Sequence, residues 1–133
     1  MHLNWLAIAV CAAALFVLGG LWFVVLFGKQ YAVALGRENA PRTTPGPLYM
    51  VGPLVCSVFN IVASAWLMRA LHIDSLGGAL LFGAIVGGGY LAATTVNTGI
   101  NPNIPRPLFY GALSGSYFFL SGLVTSTILF LMG

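Results

Sequence analysis

Charged side chains are scarce in this sequence. The 133 residues include five Lys or Arg and two Asp or Glu, so charged residues make up 5% of the chain, against about 25% in a typical soluble domain. This shortage excludes an ordinary water-soluble globule. The formal net charge of +3 comes from a few basic residues between apolar runs, so we expect no nucleic-acid partner.

Catalytic and metal-binding groups are missing as well, because the interior of the apolar runs contains no Asp, Glu, Lys, Arg or His. General acid–base catalysis needs such a group near the reacting atoms, so we expect no enzyme activity, no cofactor and no metal. His2 and His72 lie near the ends of two runs, and a histidine pair can bind a metal or a haem. No carboxylate or cysteine is spaced to join them, and we interpret them as unrelated interfacial residues. Cys11 and Cys56 are interpreted as packing residues.

Apolar residues, in contrast, are abundant. The hydrophobic fraction is 59%, the mean hydropathy is +0.98, and the apolar runs cover about 3–27, 48–71, 76–96 and 108–132. A helix of about 20 residues crosses the hydrocarbon core of a bilayer. The pattern therefore predicts an all-α integral membrane protein, a bundle of four transmembrane helices forming one membrane domain over residues 1–133. Trp22 and Phe23 are predicted to be interfacial anchors.

Glycine recurs at helical spacing in three of the four runs. Gly83 and Gly87 form a GxxxG segment, and Tyr90, Thr94 and Asn97 continue the same stripe at helical spacing. Small residues on one face let two helix backbones approach closely. The predicted helix-packing residues are Gly19, Gly20, Gly83, Gly87, Gly111, Gly115 and Gly122.

Asn60 is the most polar side chain near the middle of an apolar run, and Ser57 and Ser64 lie on its side of the helix. A buried carboxamide needs a hydrogen-bond partner in a bilayer. An interhelical hydrogen bond is the favoured interpretation, and contact with a solute or ligand stays open. The predicted polar intramembrane contacts are Asn60, Tyr90, Thr94 and Asn97.

The basic residues give an orientation. Lys29, Arg37, Arg42 and Arg106 lie in loops 28–47 and 97–107, whereas only Arg69 lies on the side of the termini. The positive-inside rule predicts that both loops are cytoplasmic and that both termini are outside.

A family resemblance rests on landmarks that follow one another along nearly the whole chain. They are the opening Asn4-Trp5-Leu6-Ala7-Ile8, the segment Gly19-Gly20-Leu21-Trp22-Phe23 running into Leu26-Phe27-Gly28-Lys29, the glycine-rich third run, and Arg106-Pro107 leading to Tyr117. With them the sequence resembles the small bacterial membrane proteins grouped as domain of unknown function 1761. It departs at Phe23, where a tyrosine is frequent, and at Ser116, where a glycine often stands. The resemblance implies a four-helix domain in the bacterial inner membrane. Because the family has no agreed activity, it supplies no catalytic residue to carry over to this chain.

Two functions fit these features. The first is a structural or accessory subunit that contacts the lipid bilayer and works through helix packing, as a homo-oligomer or within a larger membrane complex. The alternative is a small-solute transporter or channel formed as an oligomer, because four helices with small inward faces would pack shut in a single chain. The sequence identifies no small-molecule ligand.

Overall fold

The computed structural model describes residues 2–41 and 46–133, so Arg42, one of the basic residues predicted to set the orientation, lies outside the described residues. Within these ranges the chain forms helices and no strand: α1 Trp5–Leu26, α2 Gly28–Ala34, α3 Leu48–Ala70, α4 Leu76–Gly99 and α5 Pro107–Met132. All except α2 are long and apolar enough to cross a membrane. The predicted all-α fold with four candidate spans is confirmed, and it is consistent with a multi-pass membrane protein.

The helix starts follow from local sequence. Asn4 caps α1, its side-chain oxygen accepting the Ala7 N–H at 3.1 Å, and the Ser75 hydroxyl accepts the Gly78 N–H at 3.0 Å at the start of α4. Pro107 occupies the first turn of α5, where its missing N–H costs nothing. These caps satisfy backbone donors that the first helical turn leaves without partners.

Two of the long helices contain a wider, π-helical segment, Leu21–Leu26 in α1 and Ile85–Ala92 in α4. In the first, the Phe27 N–H donates to the Trp22 carbonyl oxygen at 2.9 Å, an i to i−5 bond. Such a turn takes more residues than the 3.6 of an α-helix. Side chains beyond each segment therefore face directions that a uniform period does not predict.

The bundle is organised around α5, which packs along the whole of α4 and also against α1 and α2. α3 joins the bundle chiefly through α1, by way of the buried residues Ile61, Ala65 and Met68 of its second half. The first half of α3 is much less covered, since Leu48, Tyr49, Met50 and Val51 are all more than half exposed. α3 is thus the loosest of the long helices.

Candidate functional site

The closest helix contact joins α4 and α5 through three glycines, Gly83, Gly87 and Gly122, which we call the glycine seam. A Cβ atom on Gly122 would lie 2.6 Å from the Gly83 carbonyl oxygen, and one on Gly87 would lie 2.6 Å from the Phe119 carbonyl oxygen. A Cβ on Gly83 would meet the Ser126 hydroxyl and the Gly122 backbone. The two backbones touch here, so only glycine fits.

The contact continues through a valine that fills the space above two further glycines of α5. Cβ atoms on Gly111 and Gly115 would each lie 3.2 Å from a Val96 methyl group. The contact between α4 and α5 extends to Gly99, where a Cβ would lie 2.5 Å from the Tyr110 ring. All the glycines predicted for packing in the third and fourth runs are thereby brought to one interface.

Tyr90, Thr94 and Asn97 are not part of that interface, contrary to the single stripe expected from the sequence. All three are exposed, Tyr90 by 69%. The π-helical segment Ile85–Ala92 is the reason: its wider turns move the contacting positions from 90, 94 and 97 to Ala92, Val96 and Gly99. None of the three exposed side chains is hydrogen-bonded within the described part of the chain.

The glycine pair of α1 separates into two environments. A Cβ on Gly19 would lie 3.1 Å from the Tyr117 hydroxyl, so this glycine makes room for the tyrosine. Gly20 is exposed, and a Cβ there would meet no described atom within 4 Å. Gly20 therefore makes no close packing contact with the residues that the structure describes.

Aromatic rings from α1, α2 and α5 form a continuous aromatic cluster, consisting of Trp22, Phe23, Phe27, Tyr31, Tyr110, Tyr117 and Phe118. Successive ring centroids lie between 4.7 and 6.3 Å apart. The Trp22 indole N–H donates to the Leu113 carbonyl oxygen at 3.0 Å, and the Tyr117 hydroxyl donates to the Leu15 carbonyl oxygen at 3.1 Å.

This cluster brings Trp22 and Phe23, the two residues predicted to be interfacial anchors, into contact with α5. Both side chains are half-buried against α5, since the π-helical turn directs these consecutive residues inward. The Phe23 ring packs edge-on against the rings of Tyr117 and Tyr31. This contact needs no hydroxyl group on residue 23. Burial raises the pKa of the Tyr31 phenol, and the neighbouring Tyr110 raises it further.

The loops that follow α2 and α4 meet at one end of the bundle. The Arg106 guanidinium lies 3.7 Å from the Glu38 carboxylate and also donates to the Val33 carbonyl oxygen. Gly36, with φ of 69°, lies beside Pro105, whose Cγ would be 2.9 Å from a Cβ at that position. At the other end Asn4 donates to the Met132 carbonyl oxygen at 2.8 Å, which ties the two terminal regions together.

A row of buried hydroxyl groups runs along α5: Ser114, Tyr117, Ser121, Thr125 and Ser126. Ser121 donates to the Tyr117 carbonyl oxygen at 2.9 Å and Ser126 to the Leu123 carbonyl oxygen at 3.2 Å, so both bond their own helix. The Ser114 hydroxyl has no partner among the described residues. The row was missed from the sequence because serine and threonine on an apolar helix often satisfy themselves locally.

Part of this row faces α3 across a narrow opening, which we call the α3 cleft. It is lined by Ser57, Asn60 and Ser64 of α3, by Tyr117, Ser121 and Thr125 of α5, and by apolar groups that include Val86 and Phe118. Its cavity volume of about 20 Å³ holds about one water molecule. The cleft unites the predicted Asn60 with hydroxyls that sequence reasoning had not assigned to it.

Asn60 lies at the open edge of the α3 cleft. Asn60 is exposed, and its carboxamide makes no hydrogen bond to any residue that the structure describes. Ser64, one turn further on, is buried. Asn60 is thus accessible from outside the bundle, and its carboxamide has no hydrogen-bond partner among the described residues.

No group of three or more His, Cys, Asp or Glu side chains is placed to hold a metal ion within residues 2–41 and 46–133. His72 lines a separate cavity at the terminal end of the bundle, and His2 does not. The free thiols of Cys11, which is buried, and Cys56, which is exposed, lie on different helices.

Comparison with known proteins gives a family and nothing finer. A family model described as a protein of unknown function (DUF1761) matches residues 6–130, which confirms the resemblance seen in the sequence. No curated protein and no solved structure matches the chain. Because the match covers nearly all of its 133 residues, the chain belongs to the DUF1761 family.

Proposed function

We propose that this protein is a non-catalytic accessory subunit that assembles within the membrane through α3, and that its partner is a second copy of itself. One observation carries the proposal: the exposed Asn60 carboxamide, near the middle of α3, with no partner in the described chain. A carboxamide left unpaired in hydrocarbon costs several kcal/mol. Contact with another polar group in the membrane removes that cost.

The surroundings of Asn60 suit a helix contact. Cys56, Asn60, Ala63 and Leu67 follow one another at spacings of three and four residues, all exposed, and we call them the α3 strip. Residues so spaced form one line along a helix. Apart from Leu67 they are small, and small residues allow close approach of a second helix. Phe59 and Trp66, which flank the strip, are 73% and 52% exposed and are suited to lipid.

The chemistry of the carboxamide favours a second copy. Asparagine carries an acceptor oxygen and two donor hydrogens. Two Asn60 side chains related by a twofold axis can therefore satisfy each other, as the self-complementary surface of a symmetric dimer requires. A different membrane protein is the competing partner, and it would need its own polar group at this depth.

The orientation in the membrane is part of the proposal. We infer a bacterial inner-membrane protein with loops 28–47 and 97–107 in the cytoplasm and both termini outside. The family resemblance and the bias of Lys29, Arg37 and Arg106 toward those loops support it. Cysteines introduced at Glu38 and at His2 should differ in labelling by an impermeant maleimide added to intact cells, with only the second labelled.

Transport is the alternative. The polar lining of the α3 cleft supports it, but the cleft holds about one water molecule. In addition, the hydroxyls of Tyr117 and Ser121 already donate to backbone carbonyl oxygens. A solute path would have to form between copies. Flux into vesicles that contain the purified protein would distinguish transport from an accessory role.

Cys56 provides a direct test of assembly, because it lies on the α3 strip and the other thiol, Cys11, is buried. Mild oxidation of native membranes should yield a disulfide-linked dimer. The control combines Cys56→Ala with Val55→Cys, which moves the thiol to the adjacent exposed position, about 100° around the helix. No dimer from Cys56, or equal yields from both positions, would overturn the proposal.

A further inference from the structure

A second cavity, of about 310 Å³, opens at the end of the bundle that holds the two terminal regions. Its apolar lining is buried or half-buried, and its polar lining includes two exposed basic side chains, Arg69 and His72. The apolar part consists of Ala65, Met68, Ile73, Leu129 and Phe130. A volume near 300 Å³ is at the lower end of small-molecule sites, and this one is amphipathic.

The position of Arg69 matches the membrane surface. It lies in the last turn of α3, a candidate span that ends at Ala70. Basic side chains at the ends of spans lie at the level of the lipid headgroups. Arg69 forms no ion pair within the described ranges; the pair that is formed, between Arg106 and Glu38, is at the opposite end. A guanidinium presents donors whose geometry suits phosphate oxygens.

His72 occupies a backbone conformation that favours glycine. Its φ is 53°, and it follows Leu71, the C-cap of α3. The His72 N–H donates to the Arg69 carbonyl oxygen and the Ile73 N–H to the Met68 carbonyl oxygen, each at 3.1 Å. That is the helix ending in which glycine is the usual residue at this position. An imidazole is instead placed here, on the lining of the cavity.

Several carbonyl oxygens of the helix ends at this place already accept hydrogen bonds. Carbonyl oxygens at the end of a helix carry partial negative charge, but those of Met68 and Arg69 accept the two bonds just described. The Met132 carbonyl oxygen accepts the Asn4 amide at 2.8 Å. Arg69 and His72 are the basic side chains of the lining, which also includes the backbone of Gly133.

We propose that this cavity binds the phosphate group of an anionic phospholipid. Arg69 and His72 contact the phosphate, and the apolar lining contacts the first part of an acyl chain. The apolar lining is what favours a lipid over free phosphate, since a free anion gains nothing from Met68 or Phe130. Basic pockets between membrane helices bind lipid headgroups on the cytoplasmic side of other membrane proteins, and the same contacts can form at the outer face, where the proposed orientation places this cavity.

The test measures lipid retention by native mass spectrometry and the thermal midpoint of the full-length protein in detergent. Phosphatidylglycerol, phosphatidylcholine and inorganic phosphate are added separately. We expect phosphatidylglycerol to be retained and to raise the midpoint more than phosphatidylcholine does. Arg69→Gln should weaken its apparent affinity about tenfold, the loss of a charged hydrogen bond, whereas Arg37→Gln should leave it unchanged.

His72→Gly separates ligand binding from folding. Glycine suits the left-handed backbone, so this variant should be at least as stable as the native protein without lipid and should still bind phosphatidylglycerol less tightly. Equal affinity in the native protein, Arg69→Gln and His72→Gly would overturn the site. Protection by inorganic phosphate equal to that by phosphatidylglycerol would overturn the assignment to lipid.

Discussion

Gly122 of α5 and Gly87 of α4 lie in direct backbone contact, so that a Cβ on Gly122 would be 2.6 Å from the Gly87 Cα atom. Main-chain atoms cannot rotate away, and the helices would have to separate to admit a methyl group. We expect Gly122→Ala to lower the free energy of unfolding by about 1–3 kcal/mol, the usual cost of overpacking. Thermal unfolding in detergent measures the effect.

Gly20→Ala is the matched control for this substitution. The added methyl meets no described atom within 4 Å, and alanine is favoured over glycine in a helix by about 1 kcal/mol. The midpoint should stay the same or rise. Similar losses in both variants would contradict a specific role for the close contact between α4 and α5.

Tyr117 and Gly19 should be energetically coupled. The Tyr117 hydroxyl donates to the Leu15 carbonyl oxygen at 3.1 Å, and a Cβ on Gly19 would lie 3.1 Å from the same hydroxyl. Tyr117→Phe should cost about 1 kcal/mol, the net value of a hydrogen bond. Gly19→Ala should cost a similar amount in the native protein but little in the Tyr117→Phe background.

A double-mutant cycle on these two positions measures the coupling. Additive losses would show that the alanine methyl disturbs something other than the tyrosine hydroxyl. Trp22→Phe serves as a separate comparison, since it removes a hydrogen bond to Leu113 in the same aromatic cluster without touching the space above Gly19.

The contact between the two loops should depend on Arg106 more than on Glu38. Their side chains are 48% and 38% exposed, and the charged atoms lie 3.7 Å apart. Exposed ion pairs contribute little, so Glu38→Gln should change stability by less than about 0.5 kcal/mol. Arg106→Ala also removes the donor to the Val33 carbonyl oxygen and should cost about 1 kcal/mol. The free energy of unfolding of both variants, measured at low and at high salt, checks these values. Equal losses of stability in Glu38→Gln and Arg106→Ala would show that the ion pair, and not the bond to Val33, holds the two loops together.

The sequence predicted the features that depend on composition. Each of the four apolar runs corresponds to one candidate span. For the first, second and fourth runs the ends lie within about two residues of the helix ends in the structure, because charged residues and prolines mark those ends in the sequence. The third run, predicted to cover residues 76–96, is shorter than the helix that the structure shows. Instead α4 continues to Gly99, and the contact of Gly99 with Tyr110 gives a packing reason that the sequence alone does not reveal.

Features that depend on tertiary register could not be predicted. A hydrophobic sequence does not indicate where a helix will widen, so the π-helical segment of α4 and the outward rotation of Tyr90, Thr94 and Asn97 were missed. The aromatic cluster and the α3 cleft each combine residues from separate helices. From the sequence alone, Trp22 has the properties of an interfacial residue, and Ser121 has those of a small residue that bonds its own helix.

Asn60→Leu should separate folding from assembly. In the single chain Asn60 is exposed and makes no hydrogen bond that the structure describes, so a leucine there removes no contact within the bundle and suits a lipid environment. The monomer should be at least as stable, whereas the yield of the Cys56-linked dimer should fall several-fold, because an interhelical hydrogen bond is worth about 1 kcal/mol. Phe59→Leu, at an exposed position beside the strip, should leave the yield unchanged. A destabilised Asn60→Leu monomer would mean that the carboxamide serves the fold of the single chain, and an unchanged dimer yield would remove Asn60 from the interface.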